Sequence, residues 1–186
     1  KFAGAGYDLI ITARRADLLD KLAGELEKEG VKVLSLCFDV RDREACREAV
    51  AGIGPEWSDI DVLINNAGLA LGLEAEYEGD FADWDGMIDT NVKGLLNITR
   101  MIVPGMVERD RGHVINIGSV AGDAAYAGGA VYCATKAAVK TISDGLRIDV
   151  AGTRVRVTNL KPGLVETNFS NVRFHGDGER AARVYE

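Results

Sequence analysis

The sequence is poor in the residues that build disulfide frameworks and metal sites. Its three cysteines, Cys37, Cys46 and Cys133, lie far apart, form no CxxC pair and are odd in number. We therefore expect reduced thiols and no disulfide framework. The two histidines, His113 and His175, are too few and too distant in sequence to indicate a metal cage, so no metal site is predicted.

Basic residues are the minority, and long apolar runs are missing. The chain of 186 residues has 22 Lys+Arg against 29 Asp+Glu, a net charge of −7. This acidic balance argues against binding to nucleic acid, which usually needs a basic face. No apolar run reaches the roughly 18 residues that a membrane span needs, and no signal-peptide pattern is present. We therefore expect a cytoplasmic protein that binds neither nucleic acid nor membrane.

Glycine is abundant, with 22 residues, and it separates short apolar runs from longer amphipathic stretches. The apolar runs predict strands at 8–13, 31–38, 60–65, 113–117 and 154–160. The amphipathic stretches predict helices at 17–29, 43–52, 84–109 and 130–150, the third one broken near Pro104 and Gly105. Strands that alternate with helices indicate βαβ units and a parallel sheet. The predicted fold is α/β, a doubly wound, Rossmann-like sheet in one domain over residues 1–186.

Polar residues follow the predicted strands, where the strands end. In doubly wound sheets, ligands bind beyond the carboxyl ends of the strands. A strand core would not need polar groups gathered at these places, so the pattern predicts a ligand site there. The residues concerned are Arg14, Arg15, Asp39, Asn65, Asn66, Ser119 and the segment from Pro162 to Thr167.

Tyr132 and Lys136 are the pair that indicates catalysis. Their i,i+4 spacing at the start of a predicted helix puts both side chains on one face. Taken alone, the pair is better explained by a tyrosine packed on a lysine stem, and its context changes that interpretation. Ser119 ends a strand, where its hydroxyl can face the phenol. Asn91 lies inside a predicted helix, a poor place for asparagine unless its side chain is used or the helix is irregular there.

These residues together resemble the signature of the short-chain dehydrogenase/reductase family. The matching motifs stand in family order and spacing across nearly the whole chain: Asn65-Asn66-Ala67-Gly68, Asn91, Ser119, Tyr132-x-x-x-Lys136 and Pro162-Gly163. The resemblance implies an oxidoreductase that moves a hydride to or from a nicotinamide cofactor.

The resemblance also implies a role for each catalytic residue. Tyr132 would be the general acid in reduction and the base in oxidation, with a pKa lowered from about 10 by Lys136 and by the oxidised nicotinamide. Ser119 would hydrogen-bond the reacting oxygen, and Lys136 would also hold the nicotinamide ribose. Asn91 would anchor a water that returns the proton through Lys136.

The residues after the first strand predict the choice of cofactor. NAD sites usually place an acidic residue there, whereas a 2′-phosphate calls for arginine. Here Arg14 and Arg15 follow the strand, so NADP is predicted, the alternative being two solvated arginines at a helix entry. Further cofactor contacts implied by the resemblance are Asp39 and Val40 at the adenine, then Asn66, Ala67, Gly68, Pro162, Gly163, Val165 and Thr167 toward the nicotinamide. Gly68 is equally explained as an ordinary turn residue.

The family's Gly-rich phosphate loop, T-G-x-x-x-G-x-G, has no counterpart in the sequence. Residues 1–6 read as the end of the helix that would follow that loop, and the family's last strand would lie beyond Glu186. Removing a central strand would expose two unpaired edges. We therefore expect the fold to be incomplete at both ends and the chain to be part of a longer protein.

Several segments resemble one branch of the family, the NADP-dependent 3-hydroxy acid dehydrogenases that act on serine, allo-threonine and malonic semialdehyde. An acid substrate needs a cationic or amide clamp, for which Arg173 is a candidate, unless it is a surface residue of a mobile lid. Tyr126 is either a substrate contact or a packing aromatic. Alternatives are another NADPH-dependent reductase, such as a 3-ketoacyl carrier-protein reductase, or a non-catalytic NADP-binding regulator. Relatives suggest a homotetramer.

Overall fold

The structure is a computed structural model that describes residues 1–165 and 167–182. The chain packs as two compact units, residues 1–58 and residues 59–186. The strands in both units are parallel and alternate with helices, which confirms the predicted α/β class. The prediction that residues 1–186 form one catalytic domain stays a prediction.

The first unit is a two-stranded parallel sheet with its helices. Strand β1 (Leu9–Ala13) pairs with β2 (Val33–Cys37), and Ala13 lies opposite Cys37. Helix α1 (Ala16–Leu26) connects them and continues as a 3₁₀ turn to Gly30, whose φ of +82° explains the glycine there. Helix α2 (Arg43–Ala51) follows β2.

The second unit contains a three-stranded parallel sheet in the order β3-β4-β5. Its strands are β3 (Val62–Asn65), β4 (Gly112–Ile117) and β5 (Val155–Leu160). Its helices are α3 (Phe81–Ile88), α4 (Leu95–Glu108), α5 (Ala130–Asp149), α6 (Phe169–Arg173) and α7 (Gly178–Ala182). The parallel strands put Asn65, Ile117 and Leu160 at one edge of the sheet, where the candidate site begins.

The core of this unit lies between the sheet and helix α4. Met106 and Val114 are fully buried there, because the apolar positions of α4 recur at helical spacing and face the apolar faces of the strands. The remaining members of the core are Val103, Val150, Val155 and Val157. This packing fixes the sheet whose carboxyl edge borders the candidate site.

The predicted break at Pro104 and Gly105 is wrong. Helix α4 runs through Pro104 to Glu108, since the buried side chains of Val103 and Met106 anchor it on both sides of the proline. The irregularity lies one element earlier, where Asp89–Gly94 forms a π-helical turn between α3 and α4. Such turns often occur at functional sites, and this one contains Asn91.

Candidate active site

Ser119 and Tyr132 are neighbours at the carboxyl edge of the sheet. Ser119 follows β4 and caps the 3₁₀ turn Val120–Gly122, where its hydroxyl accepts a hydrogen bond from the Ala121 amide at 3.1 Å. Tyr132 lies in the first turn of α5, and the Ser119 hydroxyl is near enough to its phenol to lower the pKa of the phenol. The 3₁₀ turn lies close to α5, since a Cβ on Gly122 would be 2.7 Å from the Lys136 carbonyl oxygen.

The surroundings of Tyr132 raise the pKa of its phenol above the usual value. Burial is the largest cause, and the hydrogen bond with Ser119 and the charge of Arg173 oppose it. The predicted lowering by Lys136 and an oxidised nicotinamide concerns the complex with cofactor and stays a prediction. Burial of the phenol outweighs the favourable contacts, and a buried phenol keeps its proton at neutral pH, as a proton donor must.

Lys136 is buried behind the phenol. Its Nζ lies 5.9 Å from the centroid of the Tyr132 ring and donates a hydrogen bond to the Ile117 carbonyl at 2.9 Å. Burial lowers the pKa of its ammonium from 10.5 to about 8. The predicted pairing of Tyr132 and Lys136 on one helix face thus agrees with the fold, with the amine directed to the end of β4.

Asn91 links three segments through its side chain. Its Oδ1 accepts a hydrogen bond from the Leu69 amide, and its Nδ2 donates to the Leu69 carbonyl, both at 2.8 Å. The same Nδ2 donates to Thr135 Oγ1 at 2.9 Å. These contacts fit the alternative in which Asn91 lies at an irregular point of the helix and bonds to its neighbours. Its role in returning the proton stays a prediction.

Gly68 lies against both Asn91 and Lys136. A Cβ at this position would be 3.3 Å from Asn91 Oδ1 and 3.4 Å from Lys136 Nζ. A larger residue would therefore push on the two side chains at once. The Asn66-Ala67-Gly68 turn after β3 packs against α5 through Gly68, with Asn66 and Ala67 exposed.

Arg173 is buried beside Tyr132 rather than at the surface. Its side chain is 7% exposed, its Nε donates to the Gly72 carbonyl at 2.9 Å, and its Nη1 donates to the Tyr126 hydroxyl at 3.0 Å. The guanidinium carbon lies 5.9 Å from the centroid of the Tyr132 ring. Helix α6 thus places a cation within reach of any group bound at the phenol.

A cleft opens next to Tyr132. Its apolar wall contains Leu71, Trp84 and Met87. Two carboxylates on its rim are paired with the segment after α6: Asp83 with His175 at 3.2 Å and Glu74 with Arg180 at 3.0 Å. In residues 1–165 and 167–182, we find no cluster of metal-ligating side chains and no helix with the length and hydropathy of a membrane span.

The segment after β5 touches the turn that carries Ser119. The Val120 amide donates to the Pro162 carbonyl at 3.2 Å, and Thr167 Oγ1 accepts from the Phe169 amide at the start of α6. Gly163 has open space around its Cα, and Val165 is exposed. These contacts connect Ser119 to the segment predicted to meet the nicotinamide.

In the first unit, the predicted cofactor residues gather at the ends of β1 and β2. Arg14 follows β1, and its Nη1 lies 3.8 Å from Asp39 Oδ2. Arg15 is exposed at the position before α1. The buried thiol of Cys46 donates to the Val40 carbonyl at 3.4 Å and so holds the turn after β2.

Comparison with known proteins identifies the family. The profile described as short chain dehydrogenase matches residues 1–177. This chain belongs to the short-chain dehydrogenase family. An NADP-dependent 3-hydroxy acid dehydrogenase of Salmonella typhi is 54% identical over 187 residues, covering all of this chain and 74% of the relative. A Schizosaccharomyces pombe protein of the same name is 44% identical, covering 98% and 71%.

Solved structures of this family of dehydrogenases agree with the fold. The closed form of a serine dehydrogenase complexed with NADP⁺ has a TM-score of 0.94 and 51% identity, covering all of this chain and 74% of its own. Serine dehydrogenase from Escherichia coli has a TM-score of 0.85 and 46% identity, covering 99% and 81%.

Thr135 is a site residue of this short-chain dehydrogenase that the sequence analysis missed. It is buried, its Oγ1 donates to the Tyr132 carbonyl at 2.7 Å, and it accepts the hydrogen bond from Asn91. The signal in the sequence was a threonine three residues after Tyr132 in a helix, a spacing that allows a bond back to the carbonyl.

Proposed function

We propose that this short-chain dehydrogenase is an NADP(H)-dependent oxidoreductase that interconverts a small 3-hydroxy acid and its 3-oxo acid. The substrates we propose are of the serine, allo-threonine and 3-hydroxypropionate/malonic semialdehyde type. The observation that carries the proposal is the proximity of Ser119 and Tyr132 beside the buried guanidinium of Arg173. The names of relatives at 51–54% identity support the cofactor and the substrate class.

In the proposed reduction, Tyr132 donates its proton to the carbonyl oxygen. Ser119 hydrogen-bonds the same oxygen and stabilises the negative charge that develops there. NADPH, when bound, supplies the hydride to the carbonyl carbon. In the reverse direction Tyr132 takes the proton of the substrate hydroxyl. The raised pKa of Tyr132 favours its role as the acid.

Lys136 and Asn91 act next to the phenol in this proposal. With a pKa of about 8, Lys136 carries its proton at neutral pH and is able to hold the nicotinamide ribose hydroxyls. Asn91, besides its contacts with Leu69 and Thr135, is the residue we propose to anchor the water that returns the proton through Lys136. These bonds join Leu69 to Thr135, the residue that precedes Lys136 in α5.

The residues around the cofactor fit NADP in each unit taken by itself. In residues 1–58, the exposed guanidiniums of Arg14 and Arg15 suit a 2′-phosphate, and Asp39 and Val40 suit the adenine. In residues 59–186, the small side chains after β3 and β5 suit close approach of a ligand to the backbone. Those residues are Asn66, Ala67, Gly68, Pro162, Gly163, Val165 and Thr167.

We propose that Arg173 binds the substrate carboxylate. Among the described residues, its Nη2 has no hydrogen-bond partner, while Nε and Nη1 are fixed by Gly72 and Tyr126. A guanidinium held on one side in this way presents its remaining N–H groups in a defined direction, which suits a carboxylate. Tyr126 is then a residue that positions Arg173 and lines the substrate site.

Oligomeric state and compartment belong to the same proposal. We propose a homotetramer through helices α4 and α5, which expose Leu96, Val107 and Ile148. The free thiols of Cys37, Cys46 and Cys133 favour a reducing compartment, so we propose the cytoplasm. Light scattering coupled to size exclusion is expected to give four times the chain mass.

The test of the function is a steady-state assay of the full-length enzyme with NADP⁺ and NAD⁺. We expect activity with serine, allo-threonine and 3-hydroxypropionate, and a clear preference for NADP⁺. A preference for a 3-ketoacyl thioester would instead favour the carrier-protein reductase, and NADPH binding without turnover would favour a regulator. Equal use of NAD⁺ and NADP⁺ would overturn the interpretation of Arg14 and Arg15.

The test of the carboxylate site is Arg173→Met, with Arg180→Met as the matched control. Arg180 also stacks on Phe174 but pairs with Glu74 at the exposed rim. We expect KM for hydroxy acids to rise about tenfold or more in Arg173→Met, as expected for loss of a charge-assisted pair. A similar change in both variants would contradict the assignment.

A further inference from the structure

Three charged side chains meet beyond the paired ends of β1 and β2. Arg14 follows β1, and Asp39 and Arg41 follow β2. Because β1 and β2 are parallel and Ala13 lies opposite Cys37, the residues that come next along each strand lie side by side. The Phe38 amide donates to the Ala13 carbonyl at 3.1 Å, which extends this pairing to the cluster.

Arg41 is the main partner of the Asp39 carboxylate. Its Nε donates to Oδ1 at 3.1 Å and to Oδ2 at 2.9 Å, its Nη2 donates to Oδ2 at 2.6 Å, and its amide donates to Oδ1 at 3.0 Å. These bonds with Arg41 are the largest cause that lowers the pKa of Asp39. Asp39 is therefore an anion whose charge is balanced chiefly by Arg41.

Arg14 is a second and more distant partner of the same carboxylate. Its Nη1 stands 3.8 Å from Asp39 Oδ2, beyond hydrogen-bond distance, and its side chain is 55% exposed. A guanidinium in this position has its N–H groups available to a further anion. Arg41 is thus bound to the Asp39 carboxylate, whereas Arg14 faces solvent.

We propose that Arg41 determines the preference for NADP by holding Asp39, which leaves Arg14 for the 2′-phosphate. This inference rests on the proposed function, in which Arg14 and Arg15 bind that phosphate. Without Arg41, the Asp39 carboxylate would draw Arg14 toward itself and would repel a phosphate monoester, which carries nearly two negative charges near pH 7. Arg41 is accordingly a positioning residue that acts through Asp39.

This arrangement affects the two cofactors differently. NAD has a hydroxyl where NADP has a phosphate, and an unbalanced Asp39 is able to accept a hydrogen bond from that hydroxyl. Loss of Arg41 therefore weakens NADP binding and leaves NAD binding equal or stronger. The ratio of the two values of kcat/KM is the quantity that reports the effect.

The experiment compares Arg41→Gln with wild type in the full-length enzyme at low salt. We expect the NADP/NAD ratio of kcat/KM to fall about fivefold, through KM for NADP rather than kcat, because the charges are partly solvated. Arg47→Gln is the matched control, since Arg47 also pairs with a carboxylate, Glu44, on the surface of α2. The control is expected to keep the wild-type ratio.

The double variant Arg41→Gln/Asp39→Asn separates an action through Asp39 from a direct contact. If Arg41 acts through Asp39, neutralising that carboxylate restores the wild-type ratio, even where adenine binding weakens for both cofactors equally. A ratio that stays low in the double variant would overturn the proposal, since Arg41 would then contact the phosphate itself. An unchanged ratio in Arg41→Gln would overturn it too.

Failure of this inference is distinguishable from failure of the proposed function. A wild-type enzyme without preference for NADP would contradict the proposed function before any variant is made. A wild-type enzyme that prefers NADP, with the same preference in Arg41→Gln, would contradict the role of Arg41 alone. Thermal melts of each variant verify that the turn after β2 is still folded.

Discussion

Replacing Lys136 by methionine is expected to stabilise the fold near neutral pH while it removes activity. Lys136 is 6% exposed, and burial lowers the pKa of its ammonium from 10.5 to about 8. A buried base with a lowered pKa binds its proton less well in the folded chain than in the unfolded chain. The charge therefore costs stability at every pH below the folded pKa.

The size of the effect follows from the shift in pKa. One pKa unit corresponds to about 1.4 kcal/mol, so the shift from 10.5 to about 8 represents about 3 kcal/mol at neutral pH. Methionine keeps the apolar stem but loses the hydrogen bond to the Ile117 carbonyl, a loss of about 1 kcal/mol. We expect Lys136→Met to be about 2 kcal/mol more stable than wild type near pH 7.

The difference in stability between wild type and Lys136→Met is expected to change with pH in a defined direction. Between the folded value of about 8 and the unfolded value of 10.5, the unfolded chain binds more protons, so wild-type stability rises with pH relative to Lys136→Met. The advantage of the variant is expected to disappear by about pH 10, because Lys136 is then mostly neutral in the folded chain.

Urea unfolding at a series of pH values measures this difference. Groups other than Lys136 titrate in both proteins, so they cancel in the comparison to first order. Lys140→Met is the matched control, because Lys140 lies exposed on the same helix and its charge is solvated. A difference in free energy of unfolding that does not change with pH, or a less stable Lys136→Met near neutral pH, would refute the reasoning.

Three further substitutions test the packing near the site and in the core. Gly128→Ala is expected to lower the melting temperature clearly, since Gly128 has a φ of +72° and a Cβ would lie 2.1 Å from the Leu73 carbonyl oxygen. The control Gly145→Ala lies in open space on α5 and is expected to raise the melting temperature slightly. Equal changes in melting temperature for the two glycine variants would contradict the close approach of Gly128 to the Leu73 carbonyl. Met106→Ala removes a fully buried side chain and is expected to cost about 2–5 kcal/mol in urea unfolding. A cost below about 1 kcal/mol would mean that this core is loosely packed.

Features carried by local periodicity were predictable from the sequence. The alternation of apolar runs and amphipathic stretches indicated the parallel strands and their helices. The i,i+4 spacing of Tyr132 and Lys136 indicated one helix face, since both rules depend only on neighbouring residues. Gly30 marked the end of a helix for the same reason, because its left-handed backbone suits glycine.

Features that depend on contacts distant in sequence were not predictable. The π-helical turn at Asp89–Gly94 accompanies the bonds of Asn91 with Leu69 and Thr135, which lie 22 and 44 residues away. The burial of Arg173 depends on a bond to Gly72, 101 residues away. Pro104 failed as a helix break because packing on both sides of it outweighs one lost hydrogen bond.

The direction of the pKa shift of Tyr132, which depends on both charge and burial, was also not predictable from the sequence. Spacing showed that Lys136 is near the phenol, and a nearby ammonium favours a lowered pKa. The degree of burial, which raises it, is a property of the folded site. The direction of the shift therefore required the structure.

Proton transfer by Tyr132 is the central claim, and a Tyr132→Phe variant tests it most directly. Phenylalanine keeps the packing against Phe169, whose ring centroid lies 6.0 Å from that of Tyr132, but it has no proton to exchange. We expect kcat for a 3-hydroxy acid to fall by about 10²–10⁴-fold, the contribution typical of a general acid or base, with NADPH binding measured by fluorescence retained. A variant that binds NADPH and keeps more than about a tenth of wild-type kcat would contradict the account.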